Sequence, residues 1–227
     1  MAAGRRGTRN AKHVIFDCDG VLVDSEPTAN RILCEELNAA GYVTTPEESE
    51  RDFMGRSWGH MVEVVTERLG GPPPTSLRAR YRERLFAAYA AREVPAVPGI
   101  AHALDQLAAR ELPACVASSG DHRRIRLGLA TAGLEDRFDD AAIFSADDVG
   151  RGKPWPDLFL HAAERMGFDP AATVVVEDSP AGVEAGRAAG MAVLGYTGRT
   201  PAETLRAAGA TTFSAMAELP GLLGAER

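Results

Sequence analysis

The segment FDCDGVLVD, Phe16–Asp24, decides the fold of this chain, because it joins a buried strand to two closely spaced carboxylates. The residues before Asp17, His13–Phe16, form an apolar run that is typical of a short strand covered on both faces. Asp17 and Asp19 then stand one residue apart, and Gly20 follows them. Like charges this close repel each other, and burying them is costly unless a partner compensates. The segment therefore predicts a cation site or a reactive site where the first strand ends.

Further apolar runs follow along the chain, and each ends in polar or acidic residues. They are Ala114–Ala117, Ala141–Phe144, Thr173–Val176 and Met191–Leu194. Continuous rather than alternating apolar runs are typical of parallel strands buried on both faces. Helical patterns separate them, so the sequence predicts an α/β fold with a Rossmann-like, doubly wound parallel sheet. Ligands of such sheets bind beyond the carboxyl ends of the strands.

Residues 25–97 break this alternation, because they contain helical patterns and no convincing strand. The predicted helices are Thr28–Ala40, Trp58–Leu69 and Leu77–Ala91. We therefore predict a small α-helical cap domain over 25–97, inserted into a catalytic core formed by 12–24 and 98–227. The alternative is that these helices pack on the sheet as part of one domain. Residues 1–11, which are basic and small, are predicted to be a disordered tail.

Composition narrows the classes of function. The 227 residues include 45% hydrophobic side chains, enough for a large core, and carry a formal net charge of −7. This charge argues against nucleic acid or an anionic membrane as the main partner. The three cysteines, Cys18, Cys34 and Cys115, form no paired motif, and no apolar run reaches membrane-spanning length. We therefore predict a cytoplasmic protein that does not span a membrane.

A second strand also runs into acidic residues, since Thr173–Val176 is followed by Glu177 and Asp178. If this strand and His13–Phe16 are neighbours, their carboxylates converge at one edge of the sheet. Convergent oxygen ligands suit Mg²⁺, and these segments lack the cysteine and histidine pairs that zinc sites use. A calcium loop of the EF-hand kind is the alternative for Asp17 and Asp19, but it requires glycine at its sixth position rather than its fourth. A turn-forming acid would explain one aspartate and not both.

Two further segments offer groups that bind phosphate. Ser118-Ser119-Gly120 precedes a predicted helix, so it supplies hydroxyls and backbone N–H groups at a positive helix end. Lys153 lies in the proline-containing segment Arg151–Pro156, and it is one of two lysines among 25 basic residues. The alternatives are a plain helix cap for the serines and chance for the lysine.

Taken together, these four segments resemble the haloacid dehalogenase superfamily of phosphotransferases over residues 13–197. The resemblance rests on Asp17–Asp24, Ser118, Lys153-Pro154 and Glu177-Asp178, in that order. The helical insert is similar to the cap of phosphoglycolate phosphatases, sugar-phosphate phosphatases and β-phosphoglucomutase. The resemblance implies a Mg²⁺-dependent phosphoric monoester hydrolase that works through an aspartyl-phosphate intermediate.

The resemblance also implies roles for individual residues. Asp17 would be the nucleophile, and Asp19 would protonate the leaving alcohol and then activate water. Mg²⁺ would be held by Asp17, by the backbone carbonyl of Asp19 and by Asp178, with Glu177 close or bound through water. Ser118, Ser119 and Lys153 would hold the phosphoryl oxygens. Gly55 and Arg56, in the cap, would contact the substrate, with a solvated surface role as the alternative for Arg56.

The substrate is expected to be a small phosphomonoester, such as a sugar phosphate or sugar-acid phosphate, because a cap would enclose it. The first alternative is a mutase of the β-phosphoglucomutase type. Such mutases carry a histidine where this chain has Ala29, so the resemblance favours hydrolysis. The second is a non-catalytic phosphate-binding protein, which the intact aspartates disfavour. Dehalogenases of the superfamily lack an aspartate at the position of Asp19. A monomer or weak dimer is expected.

Overall fold

A computed structural model describes residues 11–53 and 58–224 of the chain. Its centre is a six-stranded sheet in the order β3-β2-β1-β4-β5-β6, in which every neighbouring pair is parallel. The strands are β1 His13–Phe16, β2 Ala114–Ser118, β3 Ile143–Ser145, β4 Thr173–Glu177, β5 Ala192–Tyr196 and β6 Thr211–Phe213. This order is that of a doubly wound Rossmann-like sheet, so the predicted fold class is confirmed.

The central strands are buried on both faces because their apolar runs are continuous. Val14, Ile15 and Phe16 of β1 have no exposed surface, and β4 is buried throughout. The order of strands reverses between β1 and β4, which are direct neighbours. In a sheet of this topology a crevice opens beyond the carboxyl ends of the two strands at the reversal. The residues that follow β1 and β4, including Asp17 and Asp178, therefore lie where such a crevice forms.

Helices cover the sheet and supply the rest of its core. Residues 25–94 contain the first four helices, α1 to α4, and the helices that cover the sheet follow from α5 onward. These are α5 Ile100–Ala108, α6 His122–Thr131, α7 Asp157–Met166, α8 Pro180–Ala188, α9 Ala202–Ala208 and α10 Leu219–Leu222. Apolar residues of α7 and α8, such as Phe159 and Val183, pack with Ile15 of β1 and Val175 of β4 in one buried cluster. The third strand begins two residues later than predicted, because Asp140–Ala142 forms a short 3₁₀ turn.

Residues Ser25–Val94 form a separate compact unit, while the chain up to Asp24 and from Pro95 onward forms the other. The helices of Ser25–Val94 are α1 Glu26–Ala39, α2 Pro46–Phe53, α3 Trp58–Leu69 and α4 Leu77–Ala90. Its own core includes Leu37, Tyr42, Phe53 and Val65. We call this the helical unit. That it acts as a cap, with the predicted bounds 25–97, stays a prediction.

Helix α2 was not predicted, because its sequence PEESERDF offers almost no apolar pattern. Its start is fixed by local hydrogen bonds instead. The backbone N–H of Glu48 donates to the Thr45 hydroxyl at 3.2 Å, and that of Thr45 donates to the Glu48 carboxylate at 3.0 Å. This reciprocal pair is a capping box, and Pro46 supports the first turn. Phe53 then buries its ring in the core of the helical unit.

The two junctions of the helical unit lie side by side. The backbone N–H of Asp24 donates to the carbonyl of Pro95 at 2.9 Å, and that of Val97 donates to the carbonyl of Leu22 at 3.0 Å. Val23 and Ala96 form an antiparallel bridge between these hydrogen bonds. The chain therefore leaves the sheet-containing unit and re-enters it through one short two-stranded pairing.

The helices are short and mostly amphipathic. Within residues 11–53 and 58–224, no helix has both the length and the apolar character needed to cross a bilayer.

Candidate active site

The register of the sheet places Asp17 and Glu177 next to each other. Phe16 of β1 pairs with Val176 of β4, so the residues that follow them, Asp17 and Glu177, stand at the same level. The ammonium of Lys153 lies between the two carboxylates, with its Nζ 2.6 Å from Asp17 Oδ1 and 2.8 Å from Glu177 Oε1. The loop between β3 and α7 thus brings a cation to the edge of the sheet where the two strands end.

All three of these charged groups are removed from solvent. The exposed fraction of the side chain is 5% for Lys153, 9% for Asp17 and 1% for Glu177. Burial raises the pKa of Asp17 to about 7, although the neighbouring ammonium of Lys153 lowers it. Burial alone would lower the pKa of Lys153, but Asp17 and Glu177 outweigh it and hold this pKa above its usual range. Lys153 is therefore charged at neutral pH.

The Glu177 carboxylate is fixed by the start of α8. The backbone N–H of Ser179 donates to Glu177 Oε2 at 2.6 Å, and the Ser179 hydroxyl caps the helix by accepting from the backbone N–H of Gly182 at 3.1 Å. A Cβ atom on Gly182 would lie 1.7 Å from Glu177 Oε1. Glycine at this position therefore makes the space that the buried carboxylate occupies.

Asp178 brings a third buried carboxylate to the same place. Asp17, Glu177 and Asp178 each offer an oxygen, and these oxygens all lie within 4.8 Å of one another. Gly20, whose φ is +81°, packs against Asp178, since a Cβ atom there would lie 2.0 Å from Asp178 Oδ2. One ammonium neutralises at most one of three carboxylate charges. The oxygen ligands and the excess negative charge fit a divalent cation such as Mg²⁺.

Asp19, the other aspartate of the motif, has a different environment. Its side chain is 27% exposed, and its Oδ2 forms an ion pair with Nη2 of Arg124 at 3.0 Å. Asp17 is thus buried against Lys153, while Asp19 reaches toward solvent and an arginine of α6. Arg124 could not be singled out from the sequence, because nothing in an arginine-rich chain distinguishes it from its neighbours. That the backbone carbonyl of Asp19 binds metal stays a prediction.

The predicted phosphate-binding segment follows β2. Ser118 is buried, Ser119 is exposed, and the backbone N–H of Gly120 donates to the Ser118 hydroxyl at 3.3 Å. The hydroxyl of Ser145 donates to the carbonyl of Gly120 at 2.7 Å and ties this turn to β3. Since Phe16 pairs with Val116, Ser118 stands one residue beyond the level of Asp17 on the neighbouring strand. We call Ser118–Gly120 the serine turn. Gly55 and Arg56, the predicted substrate-binding residues, lie outside the described residues.

Known proteins are similar to this chain over most of its length. Residues 11–190 match the family model of the haloacid dehalogenase-like hydrolases. A 6-phosphogluconate phosphatase of Escherichia coli is 30% identical, over 92% of this chain and 93% of its own length. A conserved haloacid dehalogenase-like protein from Agrobacterium tumefaciens superimposes with a TM-score of 0.84 and is 38% identical, with 94% and 97% of the two chains covered.

A second solved structure is similar over nearly its whole length. It is a haloacid dehalogenase family hydrolase from Deinococcus radiodurans, determined with bound phosphate and sodium, with a TM-score of 0.81 and 32% identity. It covers 94% of this chain and 98% of its own. The sheet, the acidic motif and these likenesses agree, and they confirm the family and the class of enzyme predicted from the sequence. The chain belongs to the haloacid dehalogenase-like hydrolase family and is an enzyme of its phosphatase class.

Proposed function

We propose that the chain is a Mg²⁺-dependent phosphatase that hydrolyses small sugar phosphates or sugar-acid phosphates through an aspartyl-phosphate on Asp17. The observation that carries the proposal is the buried contact of Asp17 with Lys153 beside Glu177 and Asp178. A carboxylate and a phosphate repel each other because both are negative. The ammonium of Lys153 offsets this repulsion, since it contacts Asp17 and can also bind the oxygens of the incoming phosphoryl group.

In the first step, Asp17 forms a bond to phosphorus while the bond from phosphorus to the alcohol oxygen breaks. Asp19 gives its proton to that oxygen, so a neutral alcohol leaves. In the second step, water attacks the phosphorus of the aspartyl-phosphate, Asp19 takes a proton from the water, and Asp17 is released with inorganic phosphate. The partial exposure of Asp19 supports this assignment, since a group that exchanges protons with alcohol and water must reach both.

The remaining residues would hold the reacting group in line. Ser118, Ser119 and Lys153 would bind the phosphoryl oxygens, while Asp17, Asp178 and the carbonyl of Asp19 would bind Mg²⁺, with Glu177 close by. When bound, Mg²⁺ would neutralise the carboxylates, keep Asp17 charged and withdraw charge from the phosphoryl oxygens. Lys153 donates to both Asp17 and Glu177, so it would also fix the position of the nucleophile relative to the other carboxylates.

The substrate class is inferred from a relative and from the predicted cap. The Escherichia coli protein that is 30% identical over nearly the whole of both chains is a 6-phosphogluconate phosphatase. A phosphorylated sugar or sugar acid is therefore the class to test first. Gly55 and Arg56, in the predicted cap, would recognise the part of the substrate beyond the phosphate. We also retain a cytoplasmic location and a monomeric or weakly dimeric state as predictions; light scattering tests the second.

The test is release of inorganic phosphate from a panel of phosphomonoesters in the presence of Mg²⁺. The panel contains hexose phosphates, 6-phosphogluconate, phosphoglycolate and β-glucose 1-phosphate. We expect turnover that EDTA abolishes, that Mg²⁺ restores and that Asp17→Asn eliminates, with a preference for a sugar or sugar-acid phosphate. Asn is nearly isosteric with Asp, so the thermal unfolding of Asp17→Asn serves as the control for its fold.

Other results would overturn the proposal in different ways. Conversion of β-glucose 1-phosphate to the 6-phosphate without phosphate release would establish a mutase despite Ala29. Phosphate binding without turnover of any ester would establish a binding protein. Full activity of Asp17→Asn would exclude the covalent route through that residue.

A further inference from the structure

Arg124 makes a direct contact with the residue that the proposed reaction uses for proton transfer. Its Nη2 lies 3.0 Å from Asp19 Oδ2, and the two side chains are 33% and 27% exposed. Within the motif, Asp17 contacts Lys153 at 2.6 Å, so the two aspartates are held by different cations. The proposed nucleophile is thus buried against a lysine, while the proposed acid and base is partly exposed and held by an arginine.

The position of Arg124 is fixed by the segment that precedes it. Arg124 is the third residue of α6, and its backbone N–H donates to the side chain of Asp121, the N-cap residue, at 2.8 Å. Its aliphatic stem lies over Gly120, since a Cβ atom on Gly120 would be 3.4 Å from Arg124 Cδ and 3.7 Å from its Cβ and Cγ. Arg124 therefore packs its stem against the serine turn and reaches Asp19 with its guanidinium.

The geometry points to Arg124 as a positioning residue for Asp19, and this inference rests on the proposed function. The guanidinium holds the Asp19 carboxylate at the serine turn, beside the place where the phosphoryl group would bind. A carboxyl group aligned there can give its proton to the oxygen that leaves. This alignment matters most for esters of poor leaving groups, such as the alkyl oxygens of sugars, which require protonation.

The test compares Arg124→Met with the wild type on aryl phosphates whose phenols differ in acidity, from phenyl phosphate to p-nitrophenyl phosphate. The quantity measured is kcat/KM, because it reports the steps up to transfer of the phosphoryl group to Asp17 and not the later hydrolysis. We expect kcat/KM for phenyl phosphate to fall by about 10- to 100-fold, which is part of the roughly 100- to 10,000-fold that general acid catalysis contributes, and that for p-nitrophenyl phosphate by less than about threefold.

The controls separate positioning from a general effect of charge. Arg126→Met is the matched variant, since Arg126 lies on the same helix and pairs with the exposed Asp140 at 2.7 Å. It should leave kcat/KM within about twofold for all esters, as an exposed ion pair contributes little. Arg124→Lys should recover part of the loss. Asp19→Asn should show the same dependence on the leaving group, and adding Arg124→Met to it should cost little more.

Each other outcome overturns the inference. An equal fall in kcat/KM for all the esters would assign Arg124 to phosphate binding or to the fold, and thermal unfolding of Arg124→Met and Arg124→Lys would separate these two roles. An unchanged kcat/KM would make the ion pair incidental. A wild-type protein that hydrolyses neither these esters nor any sugar phosphate or sugar-acid phosphate would overturn the proposed function, and the inference with it. If the wild type is active and the effect of Arg124→Met on kcat/KM does not depend on the leaving group, the inference is overturned and the proposed function stands.

Discussion

Buried carboxylates occur in both units of the molecule, but their charges are balanced differently. In the helical unit, Glu36 is 7% exposed and receives Arg80 Nε at 2.7 Å and Arg84 Nη1 at 3.0 Å. At the edge of the sheet, Asp17, Glu177 and Asp178 lie together, and Lys153 contacts two of them. Arg84 also pairs with Glu35, so two arginines face two glutamates in this network, whereas one lysine contacts two of the three clustered carboxylates at the edge of the sheet.

The comparison indicates which buried charges serve the fold and which serve a reaction. A carboxylate whose partners satisfy it has no further need of a ligand, and its network is best explained as support for the packing of α1 against α4. Buried carboxylates that lie within 4.8 Å of one another repel, and a bound cation relieves this repulsion. The clustering of buried carboxylates, rather than burial by itself, therefore identifies the site.

The largest test of this comparison is Lys153→Met. Methionine keeps the stem and can pack on the Phe159 ring, which lies 4.9 Å from the Lys153 ammonium, but it removes the cation that contacts Asp17 and Glu177. We expect activity to fall by at least about 100-fold, and the free energy of unfolding without metal to fall by about 3–5 kcal/mol. Urea denaturation and phosphate release measure the two effects. Lys12→Met, at the exposed other lysine, is the control and should change neither.

Asp178→Asn tests whether the clustered carboxylates Asp17, Glu177 and Asp178 form the metal site. A ligand that binds only the folded state stabilises it, by about 2.7 kcal/mol at one hundred times its Kd. Mg²⁺ should therefore raise the Tm of the wild type by about 5–10 °C, since each kcal/mol shifts a domain of this size by about 2–4 °C. The Tm of Asp178→Asn should not respond to Mg²⁺. An equal rise in both proteins would place the metal elsewhere.

Glu36→Gln breaks the balanced network and should have a smaller effect. Arg80 and Arg84 are partly exposed, at 42% and 39%, so water can compensate them when the carboxylate is lost. We expect the free energy of unfolding to fall by about 1–3 kcal/mol, the range for hydrogen bonds to charged groups. The fall should be the same with and without Mg²⁺. Glu35→Gln is the comparison within the network, because Glu35 shares Arg84 with Glu36 but is 45% exposed, so it should contribute under about 1 kcal/mol.

The smallest effect concerns acid stability. Burial raises the pKa of Glu36, but hydrogen bonds from Arg80 and Arg84 outweigh it and hold this pKa below its usual value of 4.5. The unfolded state then binds more protons, so the contribution is complete above the unfolded pKa and is lost as the pH falls through the folded pKa. Glu36→Gln should therefore flatten the fall in the urea midpoint below pH 4.5. A parallel fall in both proteins would refute this assignment.

The sequence predicts the sheet well because its strands are buried on both faces. Four continuous apolar runs coincide with β1, β2, β4 and β5 to within about two residues, as expected for parallel strands that helices cover on each side. Strand β6, Thr211–Phe213, was missed because its three residues include two threonines and leave no apolar run. Helix α2 was missed for a related reason, since a capping box and a single buried ring hold it rather than an amphipathic stripe.

The candidate site was predictable only as far as the sheet dictates it. Neighbouring strands bring Asp17, Glu177 and Asp178 to one edge, and this follows from the motifs alone. The contacts of Lys153 with those carboxylates depend on the path of the loop after β3, which local sequence does not determine. The pairing of Arg124 with Asp19 also depends on tertiary structure, because it joins a helix to a turn far away in the chain.

The adjacent junctions of the helical unit have a consequence for how this enzyme could diversify. Asp24 and Pro95 are joined by a hydrogen bond of 2.9 Å, so a segment inserted between them can change in length without separating its two ends. The residues proposed for phosphoryl transfer all lie outside that segment. Evolution can therefore replace the inserted helices, and with them the substrate that is recognised, while the residues proposed for phosphoryl transfer stay the same.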